Sequence, residues 1–391
     1  MTINELSSSH IQAHKHAHAH TSVCSSYDAI GSSRYNDSKG IIGLSPKKRL
    51  EYIDLAKGIG IILMVAYHCQ CEFLKGFVAI EMLFMPLFFI VSGMFFNIKG
   101  GYMSSIEKKV NKLLIPFVVF YFAAYMLNWC AYELGLLSVQ LAGIPFIGLS
   151  NVGNMNAPIW FLFALFDLYV TFYIVFRILR NAWLRMITIA ILLLCGIIVS
   201  GSRIDLPLYL SQALFSLPFF CYGYLIEKLD ILNNSKLCRV PWWGWVLLLS
   251  SLLFVCINIP LRAIFMAYTF EGNWLLINIC SLSIAVCFLF LCKYVDRLPF
   301  VSYIGRYSLV VLCTHMLVIT ICLKLWNVFM TEIEMPRWLL FPCVLALSSI
   351  LIYPSVKYMP YFVAQKDLTQ LLRKWGRYFK RSISRRAMDL Q

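Results

Sequence analysis

Apolar runs near twenty residues recur along the whole 391-residue chain, and they leave it one kind of fold. Wound as a helix, a run of that length matches the hydrocarbon thickness of a bilayer. Lipid offers backbone groups no partner, so each spanning run must be helical. A composition of 60% hydrophobic and only 14% charged residues lies far from that of a soluble domain. The chain therefore reads as an all-α, polytopic integral membrane protein. About ten transmembrane helices are expected, at 52–71, 77–97, 113–135, 158–180, 184–201, 207–229, 242–261, 272–293, 306–327 and 338–356. They belong to a transmembrane domain at 47–360, between a polar tail at 1–46 and a basic tail at 361–391.

A net charge of +15 suggests nucleic acid until its distribution is read. If the N-terminus is cytoplasmic, the outer loops hold only Lys75, Arg203, Arg262 and Arg337. Lys57 and Lys324 fall inside spans, and every other Lys or Arg lies in an inner loop, at the inner end of a span or in a tail. Positive charge accumulates on the cytoplasmic side, so both termini are expected there. The basic excess is thus a topology signal, and no nucleic-acid partner is expected.

The most informative span is the first, YIDLAKGIGIILMVAYHCQC at 52–71, which carries Asp54, Lys57 and His68. Ionisable groups at membrane depth are costly unless paired or set in a wet cavity, which makes them functional candidates. Asp54 and Lys57, three apart, are neighbours on one helix face. Lys57 and His68, eleven apart, project from nearly the same face and stand about 16 Å from each other. One helix thus presents a cation near one membrane surface and an imidazole near the other.

Other polar residues are sparse. Glu81, near the outer end of the second span, sits at a depth like that of His68; its plain reading is an interfacial carboxylate wetted by headgroups. Lys109 and Lys112, at the mouth of the third span, suit phosphate binding but equally suit anionic lipid. Trp160 closes a Gly- and Asn-rich outer loop and is either an interfacial anchor or a platform for a sugar ring. His315, in the ninth span, is the only histidine beyond residue 20 besides His68. Asp167 is a deep carboxylate in the fourth span, and spans five to eight read as scaffold. Within 1–46, His14, His16, His18 and His20 can hold a metal ion loosely, although a low-complexity disordered tail is the plainer reading. None of the fourteen cysteines forms a C-x-x-C pair, so neither a structural zinc site nor a disulfide framework is expected. Beyond the last span, Leu368, Leu371, Leu372, Trp375 and Phe379 recur at helical spacing among basic residues, the pattern of an amphipathic helix on an anionic leaflet.

Taken together, these residues resemble the acyltransferase-3 family of membrane O-acyltransferases. Asp54-Leu-Ala-Lys57-Gly58 followed by His68 is similar to the family's Asp-x-x-Arg-Gly and following His, and Lys for Arg is similar to its fucose 4-O-acetylase-like branch. MPLFFIVSG at 85–93, KKVNKLLIPF at 108–117, WFLFALF at 160–166 and IGRYSLVVLCTH at 304–315 resemble further family blocks, in family order. Where the family often has His or Asp just before Met-Pro, this chain has Phe84, and Glu81 is the nearest acid. The resemblance implies transfer of an acetyl group from acetyl-CoA, a substrate and not a bound cofactor, to a hydroxyl of a cell-surface polysaccharide or its lipid-linked sugar precursor. It also implies residence in the inner membrane. His68, Lys57 and Asp54 are then the expected catalytic residues, with Glu81, Lys109, Lys112, Trp160 and His315 binding substrates and no metal involved. A transporter or flippase of glycans without acyl chemistry is the competing class. Transporters often carry an internal repeat, and the Asp54 to His68 pattern has no second copy.

Overall fold

A computed structural model describes residues 50–71, 81–98, 101–133, 135, 156–259, 261–330 and 334–388. The expected tail at 1–46 and the outer loop at 136–155 lie outside the described residues. Among the described residues, six helices are long and apolar enough to cross a membrane: Tyr102–Glu133, Ala157–Ile178, Ala182–Gly201, Trp274–Val295, Ser308–Phe329 and Arg337–Tyr358. Glu81–Met94 and Trp242–Asn258 are apolar but shorter. Many large apolar side chains on these helices face outward, among them Trp183, Ile187, Leu247, Phe254 and Val328. An exposed apolar surface on so many helices has lipid as its natural solvent. The chain is a multi-pass, all-α membrane protein.

Position in the bundle follows from how each helix distributes its small and polar residues. Helix α1 (Glu51–His68) carries Glu51 and Asp54 in its first turn, where the helix dipole favours negative charge. It is buried on most of its surface, as is α2 (Glu81–Met94), so the two form the centre. Ala182–Gly201 buries only Gly196, Val199 and Ser200 and lies at the rim. Helix α3 (Leu210–Lys228) packs on α2 through a reciprocal glycine contact. A Cβ at Gly93 would collide with the Phe220 carbonyl, and one at Gly223 with the Ile90 carbonyl. Without a hydrophobic drive between helices in lipid, such close backbone approach is what holds them together. Gly223→Val is therefore expected to lower the unfolding midpoint by the equivalent of about 1–3 kcal/mol or more. A thiol-reactive dye that reports exposure of the buried Cys287 and Cys292 measures it, and an unchanged midpoint would refute the close packing.

Two elements depart from the expected pattern of helices and loops. An antiparallel hairpin pairs β1 (Arg262–Ile264) with β2 (Thr269–Glu271) in the register Arg262 to Glu271. Its tip turns inward, with Phe265 stacked on Phe89 and edge-on to Phe215, and with the Met266 carbonyl accepting from Gln212 Nε2 at 3.0 Å. Helix α4 (Pro299–Arg306) precedes the membrane helix α5 (Ser308–Phe329) and lies against α1, where Gly58 meets the Val301 carbonyl and Gly305 meets the Asp54 carbonyl. The expected basic amphipathic helix is present as α6 (Leu368–Met388), with Leu372 and Trp375 exposed. Its first turn is held by Asn111, whose Oδ1 accepts from Thr369 N at 3.1 Å and whose Nδ2 donates to Thr369 Oγ1 at 2.6 Å. Asn111 lies in a π-helical turn, Val110–Leu114. Arg373 pairs with Glu107 at 2.8 Å beside it.

Candidate active site

One cavity of about 590 Å³ gathers most of the residues singled out above. Its long wall is α1, which lines it with Lys57, Ile61, Met64, Tyr67 and His68. Because these positions share one helix face, the cavity runs about 16 Å from the Lys57 end to the His68 end. Between the ends its wall is apolar, with Phe84, Met85, Phe88 and Val91 of α2 facing Phe161 and Leu162. The volume falls within the range of small-molecule sites.

The Lys57 end is charged. Lys57 Nζ lies 2.9 Å from Asp54 Oδ1, so the two form the expected pair. Asp54 is 3% exposed and also faces Arg306, whose Nε is 3.7 Å from Asp54 Oδ2. Arg306 Nη2 bonds Glu51 Oε1 at 3.1 Å, and Arg297 Nε stands 3.7 Å from Glu51 Oε2. Two carboxylates thus meet three cations across the α1 and α4 contact, and an exposed Lys112 adds a fourth cation to the cavity wall. The segment Val363-Ala364-Gln365 also lines the cavity. It is held in a tight turn by the Pro360 carbonyl, which accepts from Gln365 N at 2.9 Å and Lys366 N at 3.0 Å.

Lys109 and Lys112 part company here. Lys109 Nζ sits 3.4 Å from the ring centroid of Tyr169, whose hydroxyl donates to the Ser92 carbonyl at 2.7 Å. Lys109 is absent from the cavity lining and makes a cation–π contact instead.

The His68 end is built from residues distant in sequence. His68 and His315 stand with ring centroids 5.3 Å apart at 46°. His68 lines the cavity, whereas His315 is fully buried behind it. Glu81 is 8% exposed and lines the same end; Tyr67 is its hydrogen-bonding neighbour and Arg262 a cation that acts on it. Trp160 also lines the cavity. It is 5% exposed and packs on Phe89 and Phe161, so it sits inside the bundle and is no interfacial anchor. Its helix opens with a 3₁₀ turn, Ala157–Ile159, that contributes Ala157 and Pro158 to the wall.

A family model described as an acyltransferase domain, Acyl_transf_3, matches residues 50–356. The chain belongs to this acyltransferase family. No curated protein and no solved structure matches it. The matched span contains every part of the cavity except the 363–365 turn, so the acyltransferase domain and the cavity coincide almost completely.

Three parts of this acyltransferase's cavity, and one cation beside it, were not legible as such in the sequence. Arg306 counted only as inner-loop charge, although its place one residue before Tyr307 in the IGRYSLVVLCTH block was a usable signal. Arg262, the cation beside the lining that acts on Glu81, counted as outer-loop charge. The hairpin tip, Ile264, Phe265 and Met266, falls in the connection between the seventh and eighth expected spans, and it lines the wall although neither of those spans does. The 363–365 turn carried no signal, since nothing in its composition shows that it folds back.

Proposed function

We propose that the protein transfers an acetyl group from acetyl-CoA to a hydroxyl of a cell-surface polysaccharide or its lipid-linked sugar precursor. The observation that carries this is a single cavity with cations at one end and an imidazole at the other, in a chain of the acyltransferase family. Phosphates of the donor suit the Lys57, Lys112 and Arg306 end, because ammonium and guanidinium groups make charge-assisted bonds to phosphate oxygens. The thin pantetheine arm suits the apolar passage and delivers the thioester to His68. Glu81, Tyr67 and Trp160 are the groups proposed to receive the sugar, a carboxylate and a phenol for hydroxyls and an indole for the ring face.

In this reading the neutral His68 ring takes the proton of the acceptor hydroxyl as its oxygen attacks the thioester carbonyl. The carbon–sulfur bond breaks, the proton passes to the departing thiolate, and the products are the ester and free CoA. The topology that goes with it is ten spans, both termini cytoplasmic and residence in the inner membrane, so that the Lys57 end faces the donor's compartment. Purified protein in proteoliposomes is expected to release free CoA only when donor and a sugar acceptor are both present. Movement of acceptor across the bilayer without CoA release would favour the transporter class and overturn this reading.

The two lysines are expected to behave differently. Lys112→Ala should raise the KM for acetyl-CoA roughly tenfold or more while leaving the acceptor KM alone, since a charge-assisted contact contributes about 1.5–3 kcal/mol. Lys109→Met should shift neither KM selectively, because its ammonium is engaged with Tyr169. Equal changes in both KM values for Lys112→Ala would point to packing and remove the phosphate role.

A further inference from the structure

His315 Nδ1 lies 2.9 Å from the Val311 carbonyl, one turn back on α5. A carbonyl oxygen only accepts, so Nδ1 carries the proton. In a neutral ring the other nitrogen, Nε2, then holds a lone pair and no hydrogen. That Nε2 is buried and has no hydrogen-bond partner among the described residues, and the residue as a whole is 0% exposed. A buried acceptor left unsatisfied costs about 1–3 kcal/mol, so the site is built to receive a donor. On the same helix Thr314 already donates its hydroxyl to the Val310 carbonyl, and Cys313 is buried. Asn156, from the turn before Trp160, donates to the Cys313 carbonyl at 2.8 Å. The ring beside His315 is His68. Two imidazoles joined by one N–H···N bond of roughly 2.9 Å have centroids a little over 5 Å apart, which is the spacing seen.

The geometry points to His315 as a positioning residue: its Nε2 accepts the ring N–H of His68 and so fixes the His68 tautomer whose lone pair faces the cavity. An imidazole has one donor and one acceptor nitrogen when neutral, and the partner of the first decides where the second points. With its N–H turned back to His315, His68 presents only its basic nitrogen to a hydroxyl in the cavity. With the N–H turned the other way it would present a donor, which cannot remove a proton. A small rotation of the ring, or one bridging water, closes the contact in the free protein. His315 itself touches no substrate, because it does not line the cavity. The catalytic consequence rests on the acyl-transfer reading above; the hydrogen bond and the tautomers do not.

The test therefore has two arms. Nitrogen NMR of histidine-labelled protein in nanodiscs, assigned with His68→Gln and His315→Gln, is expected to show His315 protonated at Nδ1 alone and His68 in one dominant tautomer. His315→Phe, which keeps an aromatic ring but removes the acceptor, should leave His68 as a mixture of tautomers. In turnover, His315→Phe is expected to lower kcat by about 100-fold, with both KM values changed by less than about threefold. His315→Gln, which restores an acceptor oxygen, should recover about tenfold of that loss. A His315 protonated at Nε2, or a His68 tautomer indifferent to His315→Phe, overturns the proposal. So does a kcat within about threefold of wild type in His315→Phe. If wild-type protein releases no CoA under any condition, the acyl-transfer reading fails on that arm, and the spectra decide the imidazole pair regardless.

Discussion

His68→Gln is expected to give a membrane-inserted protein with an ordinary unfolding midpoint and no measurable acyl transfer. His68 is the imidazole that lines the cavity, at the end remote from the cationic cluster. Glutamine has a similar reach and can donate and accept hydrogen bonds, so packing against Tyr67 is largely kept. What it lacks is a nitrogen able to take a proton near neutral pH. Loss of a general base costs about 10²–10⁴ in rate, and loss of a covalent carrier would cost at least as much. Both routes thus lead to the same outcome in this variant, and trapping an acylated protein with donor alone separates them. The measurement is CoA release in proteoliposomes matched for protein content and thermal midpoint. Near-normal turnover would remove His68 from the chemistry, and with it the orientation argued for the cavity.

Much of this site was legible because one helix carries so much of it. Asp54, Lys57 and His68 sit on a single periodic element, and helix geometry alone fixes their relative positions. The pairing of Asp54 with Lys57 follows from a three-residue spacing and is observed. Contacts between elements were not legible in the same way. Arg306 meets Glu51 across 255 residues of sequence, and hydrophobic periodicity says which face of a helix is buried but not against which neighbour. The two histidines illustrate the limit. Each was singled out for being ionisable inside a span, yet only the packing of α5 beside α1 brings their rings together. Hairpin 262–271 was hidden for another reason. It falls in the connection between two expected spans, where helical periodicity gives no placement, and its tip turns inward to close the wall beside Phe89. Lys109 and Lys112 show the reverse case, in which close spacing suggested a joint role. The π-helical turn that begins at Val110 separates them, and Lys109 ends on an aromatic ring.

Asp54→Ala is expected to be the most damaging single change in the charged cluster, worse than Lys57→Ala. Sequence spacing alone made the two partners equivalent, since each neutralises the other. Arg306 breaks that symmetry, because Asp54 is approached by two cations, Lys57 at 2.9 Å and Arg306 at 3.7 Å. Removing the carboxylate strands positive charge in a site where Asp54 itself is 3% exposed, and breaking a buried pair typically costs about 3–5 kcal/mol. Lys57 is different, with a side chain 23% exposed on the cavity. Solvent screens part of its charge, so Lys57→Ala should cost less in stability and leave Arg306 to neutralise Asp54. Its larger effect is expected on the acetyl-CoA KM. Lys57→Arg should keep most activity if the residue serves as a charge alone, and should fail if the compact ammonium is what fits beside Asp54. The pairing is tested by a double-mutant cycle on the unfolding midpoint, with Asp54→Asn and Lys57→Gln combined. A second cycle of Asp54→Asn with Arg306→Gln should show a smaller coupling of the same sign, as its longer distance requires. If neither cycle shows coupling, the carboxylate contributes through something other than these cations, and the cationic end of the cavity loses the anchor proposed for it.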